Sequence, residues 1–295
     1  MVQRQSWMAA ILAVLLILVP RTPLSGERRV DVPSPNHPCG ISGLVPHYRH
    51  VVLIVMENAG YNAIIGSPDA PYLNHLSKAC GLATNYFAIT HPSLPNYIAL
   101  TAGSNFGIYD DGDPSQHPLD RPNIFSQLRG DWRALEESMP YPCDRVTSDS
   151  YAARHNPAVY YTNLASTCAR NDIPLRYPLD LNAAFTFVTP NICDDMHSCP
   201  VAVGDRWLAS FMPKIFSSSL YKKGELVAFI TWDESDTSLA NRVATIVAAP
   251  SVPPGIRVGR AFNHYSLLRT VEQLLGLPPL GGARQAASMM EAFHL

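Results

Sequence analysis

A lone hydroxyl, Ser93, stands in the run Thr90-His91-Pro92-Ser93-Leu94-Pro95-Asn96-Tyr97, at a proline-bounded junction between two kinds of segment. Before it, Leu82 to Ile89 is rich in strand-forming residues; after it, Ile98 to Ala102 reads as helix closed by Gly103. A serine at such a junction presents its oxygen beside the free N–H groups of a helix start. Those groups favour an anion, and phosphate is the natural guest. The structural alternative is that Ser93 merely caps the helix.

Other chemistry-bearing residues lie at the ends of apolar runs. Tyr48 to Met56 has the pattern of a strand buried on both faces and leads directly into Glu57-Asn58. Leu226 to Trp232 leads into Asp233-Glu234, and Ala183 to Thr189 leads through Pro190-Asn191 to Asp194, Asp195 and His197. In open α/β sheets, ligands sit beyond the carboxyl ends of strands. Glu57, Asn58, Asp233 and Glu234 offer only oxygen atoms, which suits a hard divalent cation: Ca, Mg or Mn, with Zn also able to accept carboxylates. Such a cation beside Ser93 lowers the hydroxyl pKa and neutralises charge on a phosphoryl group. Taken singly, each acidic pair reads equally well as a solvated turn after a strand.

Together these segments resemble the secreted phosphoesterase family that groups bacterial acid phosphatases with phospholipases C, within the alkaline-phosphatase-like superfamily. The resemblance covers residues 46–280 and is carried by Met56 to Asn58, His91 to Tyr97, Thr189 to His197, Thr231 to Glu234 and Asn263 to Ser266. It implies that Ser93 is the nucleophile that becomes phosphorylated, with Asn96 at the asparagine of the Thr-Phe-Pro-Asn motif of related nucleotide pyrophosphatases. It implies Glu57, Asn58, Asp233 and Glu234 as metal ligands, with Ser93 completing the set. Asp195 and His197 match positions that face the phosphate or a second metal, and His264 the place of a late histidine ligand. A second metal site and a metal-free phosphate pocket with an acid for the leaving group both fit these three residues. His91, Arg154, His155 and Asn191 are secondary candidates for contact with substrate. One departure stands out: the loop Asp110 to His117 lacks the cysteine pair that many members carry there.

The rest of the chain must position these groups. An N-terminal apolar core from Trp7 to Val19 follows Arg4 and reads as a signal segment (residues 1–25), with an uncleaved anchor as the alternative. Residues 26–46, with prolines at 33, 35, 38 and 46, read as a linker, and residues 47–295 as the phosphoesterase domain. Six cysteines in an exported chain predict disulfides. Spacing suggests Cys193–Cys199 and Cys143–Cys168, leaving Cys39–Cys80, although fifteen pairings are open. The near-neutral charge of -2 and the lack of a basic run exclude electrostatic nucleic-acid binding. Helices are predicted over Ala70 to Cys80, Val203 to Ser217 and Tyr265 to Leu275, and a further strand over Asn241 to Ala249. The alternation predicts an α/β fold, a mostly parallel central sheet flanked by helices on both faces; the resemblance implies its alkaline-phosphatase-like form.

The expected function is a secreted, metal-dependent phosphoric ester hydrolase of the acid-phosphatase kind, working through a phosphoserine. The alternative is a phospholipase C or phosphodiesterase that cuts a lipid headgroup diester. The larger phospholipases of this family carry extra C-terminal domains, and this chain stops soon after the His264 helix, which tilts the reading toward the monoesterase. A non-catalytic binding protein on the same fold is the third reading. The expected partner is a small phosphate ester or a phospholipid, with no nucleic acid and no stable membrane span after signal removal; the oligomeric state is unspecified.

Overall fold

The strand β1 (His50–Met56) lies at the middle of the sheet, and every residue after His50 is buried. Successive side chains point to opposite faces, so burial of all of them means that both faces are covered. The computed structural model describes residues 1–2, 31–236 and 240–295; the expected signal segment, beyond its first two residues, lies outside the described residues.

The remaining strands are β2 (Gly81–Phe87), β3 (Trp132–Glu136), β4 (Asp172–Pro174), β5 (Phe185–Thr189), β6 (Leu226–Trp232), β7 (Arg242–Ala248), β8 (Arg257–Val258) and β9 (Phe262–Asn263). Their order is β4-β3-β5-β1-β6-β7-β2-β8, with β9 also paired to β2. All pairings are parallel except those of β7, which runs antiparallel to both β6 and β2. The expected mostly parallel sheet is present, and β7 is its exception. The short connection after β6 leaves no room for a crossover helix, so the chain must reverse.

Four helices matter for the site: α1 (Pro71–Ala79), α2 (Ser93–Ala102), α3 (Val201–Phe216) and α4 (His264–Leu274). α2 is buried along its whole length and ends at Gly103, whose φ of 69° is the left-handed conformation of a helix stop. α1 packs on α3, and α2 packs on α4. No described helix is long and apolar enough to cross a membrane.

Three disulfides close the fold: Cys39–Cys80, Cys143–Cys168 and Cys193–Cys199. They are the pairs that spacing suggested, and they suit an oxidising compartment. The segment expected as a linker is tied down at Cys39, which is fully buried, and at Ile41, whose N–H donates to the Pro250 carbonyl.

Candidate active site

Register sets the first two carboxylates side by side. Met56 pairs with Trp232, so the residues that follow, Glu57 and Asp233, leave the sheet together. The Asp233 N–H donates to the Met56 carbonyl at 2.9 Å, and the Glu57 N–H to the Asp195 carbonyl at 2.8 Å. Asn58 takes φ 47°, a left-handed turn that asparagine tolerates, and its N–H donates to Asp233 Oδ1 at 3.2 Å.

Ser93 is the first residue of α2, and the cap position belongs to Pro92, so the capping alternative does not hold. Its hydroxyl donates instead to Glu57 Oε2 at 3.1 Å. Tyr97, one helical turn later on the same face, donates to Glu57 Oε1 at 2.5 Å. The two oxygens of one buried carboxylate thus receive the two hydroxyls of one helix.

His155 lies on the other side, in a short turn over Ala153–His155. Its Nε2 is 3.4 Å from Glu57 Oε1 and its Nδ1 3.3 Å from Asp195 Oδ2, and its ring stacks on Tyr97 with an interplanar angle of 7°. Asp195 Oδ1 accepts the His197 N–H at 2.7 Å. Between them Met196 holds φ 85°, a strained conformation for a bulky residue. The Cys193–Cys199 bridge brackets this turn. Gly204 of α3 lets it approach closely, since a Cβ there would lie 2.5 Å from Met196 Cγ. His197 Nε2 accepts from Arg154 Nη2 at 3.2 Å, and its Nδ1 lies 3.1 Å from Ser198 Oγ. At the rim, His91 Nδ1 is 2.5 Å from Glu234 Oε2.

The electrostatics follow from burial. Desolvation, then the charges of Asp233 and Asp195, push the Glu57 carboxyl well up, against the hydrogen bonds from Tyr97 and Ser93. Burial pushes Asp233 up to about 7, and burial with the Asp233 charge pushes Glu234 up to about 9. His155 is driven well below its usual value by burial and by the neighbouring Arg154 and His197. Asn58 Oδ1 and Asp233 Oδ2 are buried without a hydrogen-bond partner, while Glu234 Oε2 faces His91 Nδ1 and Asp195 Oδ2 faces His155 Nδ1. Two unpartnered acceptors among clustered carboxylates are costly unless a cation neutralises them. The oxygen-only set Glu57, Asn58, Ser93, Asp233 and Glu234 therefore fits a hard divalent cation. A second group, Glu57, His155 and His197, offers ligand atoms within 4.8 Å of one another, but Arg154 already donates to His197 Nε2.

Three expected site residues are differently employed. His264 is fully buried; its Nδ1 is 3.0 Å from the Tyr86 hydroxyl and its Nε2 2.6 Å from the Asp233 carbonyl, so neither nitrogen is free for a ligand. It holds the strand end from behind. Asn96 spends its whole amide on the loop before Ser93: Oδ1 accepts from Ile89 and Thr90, and Nδ2 donates to the carbonyls of Thr90 and Pro92. Asn191 likewise turns its own loop, accepting from Cys193 and Asp194 and donating to Asp194 Oδ2. Two participants carried no expected role. Tyr97 was detectable from its four-residue spacing to Ser93. Asp111, whose Oδ1 accepts the Leu94 N–H at 2.9 Å, had no local signal.

The arrangement sets a helix-borne serine against strand-end carboxylates on a mostly parallel sheet. The chain belongs to the phosphoesterase family, whose model matches residues 67–278, and it is a hydrolase of phosphoric esters. It is 34% identical over 251 residues to the phosphatidylinositol-3-phosphatase of Mycobacterium tuberculosis, covering 82% of this chain and 82% of that protein. It is 31% identical to the phosphate-repressible acid phosphatase of Penicillium chrysogenum over 71% of this chain, and there it spans only 55% of the relative. In fold it is similar to the lipoteichoic acid synthase LtaP from Listeria monocytogenes (TM-score 0.56, 12% identity, 88% of this chain and 80% of that one). It is also similar to an alkaline phosphatase superfamily protein from Vibrio parahaemolyticus (TM-score 0.55, 12% identity, 83% of this chain and 69% of that one).

Proposed function

We propose that this chain is a secreted, metal-dependent phosphomonoesterase of the acid-phosphatase kind, with Ser93 as nucleophile. The observation that carries the reading is the Ser93 hydroxyl, 3.1 Å from Glu57 Oε2 in a cluster whose Asn58 Oδ1 and Asp233 Oδ2 lack partners. Glu57, Asn58, Ser93, Asp233 and Glu234 would hold one divalent cation; bound there, it would lower the serine pKa and neutralise phosphoryl charge. Ser93 Oγ attacks phosphorus as the ester P–O bond breaks, and the alcohol leaves with a proton. Water then attacks the phosphoserine and releases phosphate, regenerating the hydroxyl. Arg154, beside His197 and Asp111, would pair with phosphoryl oxygens. Glu57 receives the Ser93 O–H and so orients the oxygen lone pairs.

The names of the relatives support monoesters as the substrate class, and that of the Mycobacterium relative favours an inositol lipid headgroup among them. The test compares p-nitrophenyl phosphate, bis-p-nitrophenyl phosphate and vesicles containing phosphatidylinositol 3-phosphate. Preference for the monoesters supports the reading, whereas preference for the diester moves the protein to the phospholipase C or phosphodiesterase side. Acid quenching during turnover should trap phosphate on wild-type protein and none on Ser93→Ala. Equal turnover by Ser93→Ala would sink the nucleophile assignment.

A further inference from the structure

The loop from Asp110 to His117 is braced from several directions. The Tyr160 hydroxyl donates to the Gly112 carbonyl at 2.9 Å, His117 Nε2 lies 2.5 Å from Asp110 Oδ1, and Gln116 Oε1 accepts the Asp113 N–H. This brace sets Asp111 against the start of α2, where its Oδ1 accepts the Leu94 N–H at 2.9 Å. Leu94 directly follows the nucleophile, and Pro95 after it has no N–H to offer. α2 carries no acidic residue in its own first turn and no side-chain cap, and the carboxylate that accepts its Leu94 N–H comes from this distant loop. The other oxygen, Oδ2, is 3.8 Å from Arg154 Nε, too far for a hydrogen bond but within reach of one by side-chain rotation. Independently of the helix terminus, the unpartnered and buried Asn58 Oδ1 and Asp233 Oδ2 mark the same centre as a ligand site.

A phosphoryl group on Ser93 would bring its oxygens to the amide that Asp111 now occupies. Two anions cannot share one donor without repulsion. Resting on the phosphatase reading above, we propose that Asp111 is a built-in competitor for the phosphoryl group. Its carboxylate holds the Leu94 amide in the free enzyme, yields it to a phosphoryl oxygen by turning onto Arg154, and returns to expel product phosphate. Asp111 thereby weakens the binding of inorganic phosphate and speeds its release.

The experiment measures inhibition by inorganic phosphate, with p-nitrophenyl phosphate as substrate, in wild type, Asp111→Asn, Asp111→Ala and Asp111→Glu. Loss of the charge should tighten the phosphate inhibition constant by about tenfold or more, with a lower KM and a slower release-limited kcat. Asp111→Glu, which keeps the charge, should stay near wild type. Protection by phosphate against thermal unfolding gives a second readout, and the isosteric Asp111→Asn carries the test if Asp111→Ala does not fold. Unchanged or weaker phosphate inhibition in Asp111→Asn, with wild-type turnover intact, overturns the role of Asp111 and leaves the phosphatase reading standing. A wild type that neither hydrolyses the monoester nor responds to phosphate overturns both.

Discussion

Two clusters of buried carboxyl groups sit in this sheet, and only one resembles a catalytic centre. Glu57, Asp195 and Asp233 lie at one; Glu136 at the end of β3 and Asp172 at the start of β4 form the other. All five are fully or almost fully buried, and burial raises the pKa of each. The difference lies in what meets them. Asn156 Nδ2 donates to both oxygens of Asp172 at 3.0 Å, and Glu136 retains one unpartnered oxygen. Protonation of one carboxyl removes the repulsion in that cluster. The first faces the Ser93 hydroxyl at a helix start and the unpartnered oxygens of Asn58 and Asp233, which a single proton cannot satisfy. A raised pKa marks burial in both clusters, so it is the serine and the orphaned oxygens that mark function.

The strongest way to break this contrast is to remove one charge from the first cluster. Glu57→Gln and Asp233→Asn should lower kcat by at least about 100- to 1000-fold, as loss of electrostatic stabilisation at a phosphoryl centre does. In chelator, the same variants should unfold at a higher temperature than wild type, because a buried like charge has gone. Added divalent metal should stabilise wild type and not the variants. Thermal unfolding with and without chelator reads this directly, and a wild type indifferent to chelation would remove the metal from the reading.

A smaller effect separates the loop that carries Asp195 and His197 from the body of the fold. The Cys193–Cys199 bridge closes only 6 residues and brackets the strained Met196. Replacing both cysteines by serine should lower kcat/KM by about tenfold, since small displacements at a reacting centre are expensive, and should cost about 2 kcal/mol of stability. The Cys39–Cys80 bridge spans 41 residues away from the site. Its removal should cost about 3–4 kcal/mol of stability and leave kcat/KM nearly unchanged. The opposite partition in enzyme assays and denaturant titrations would show that Cys193–Cys199 is a structural staple only.

The second cluster gives a smaller effect still, visible in stability rather than turnover. Burial raises Asp172 from its ordinary carboxylate value to about 7. An acid whose folded pKa is raised favours the folded state fully below its unfolded value, near 4, and loses that advantage as pH climbs to about 7. Glu136→Gln removes its partner's charge, so the variant should gain on wild type as pH rises from 4 to 8 and match it at pH 4. Its kcat should stay within about threefold of wild type, because Glu136 touches no reacting group. A loss of activity as large as that of Glu57→Gln would erase the distinction between the clusters.

What was legible in the sequence follows the same division. Strand ends carrying Glu57, Asp233 and Asp195 could be read because a fully buried strand must be apolar, so an acid at its end stands out. Ser93 was legible as a hydroxyl between prolines. The bounds of α1, α3 and α4 were met within a residue or two because recognisable turns bound them, whereas α2 starts at Ser93, well before the expected Ile98. β3, β4, β8 and β9 were not read, being short or, in β3, interrupted by Arg133. Asn96 and His264 stand in motifs, but where an amide or imidazole points depends on the path of distant backbone. Asp111 joins a loop to a helix across tertiary space, which local pattern does not encode.

The smallest prediction concerns where the reacting cluster ends. His264 sits behind Asp233, with burial lowering its pKa to about 4, so it is neutral in the working range. As the neutral ring, it donates Nε2–H to the Asp233 carbonyl and accepts the Tyr86 hydroxyl at Nδ1. Tyr86→Phe removes one neutral hydrogen bond and leaves a buried acceptor unpaired, which costs about 1–3 kcal/mol of stability. Since the ring and its contact with Asp233 stay in place, kcat should fall by no more than about threefold, a shift of under 1 kcal/mol in the barrier. Paired measurements of unfolding and kcat decide between support and chemistry. A large loss of kcat at unchanged stability would return His264 to the reacting cluster and extend it one layer further into the core.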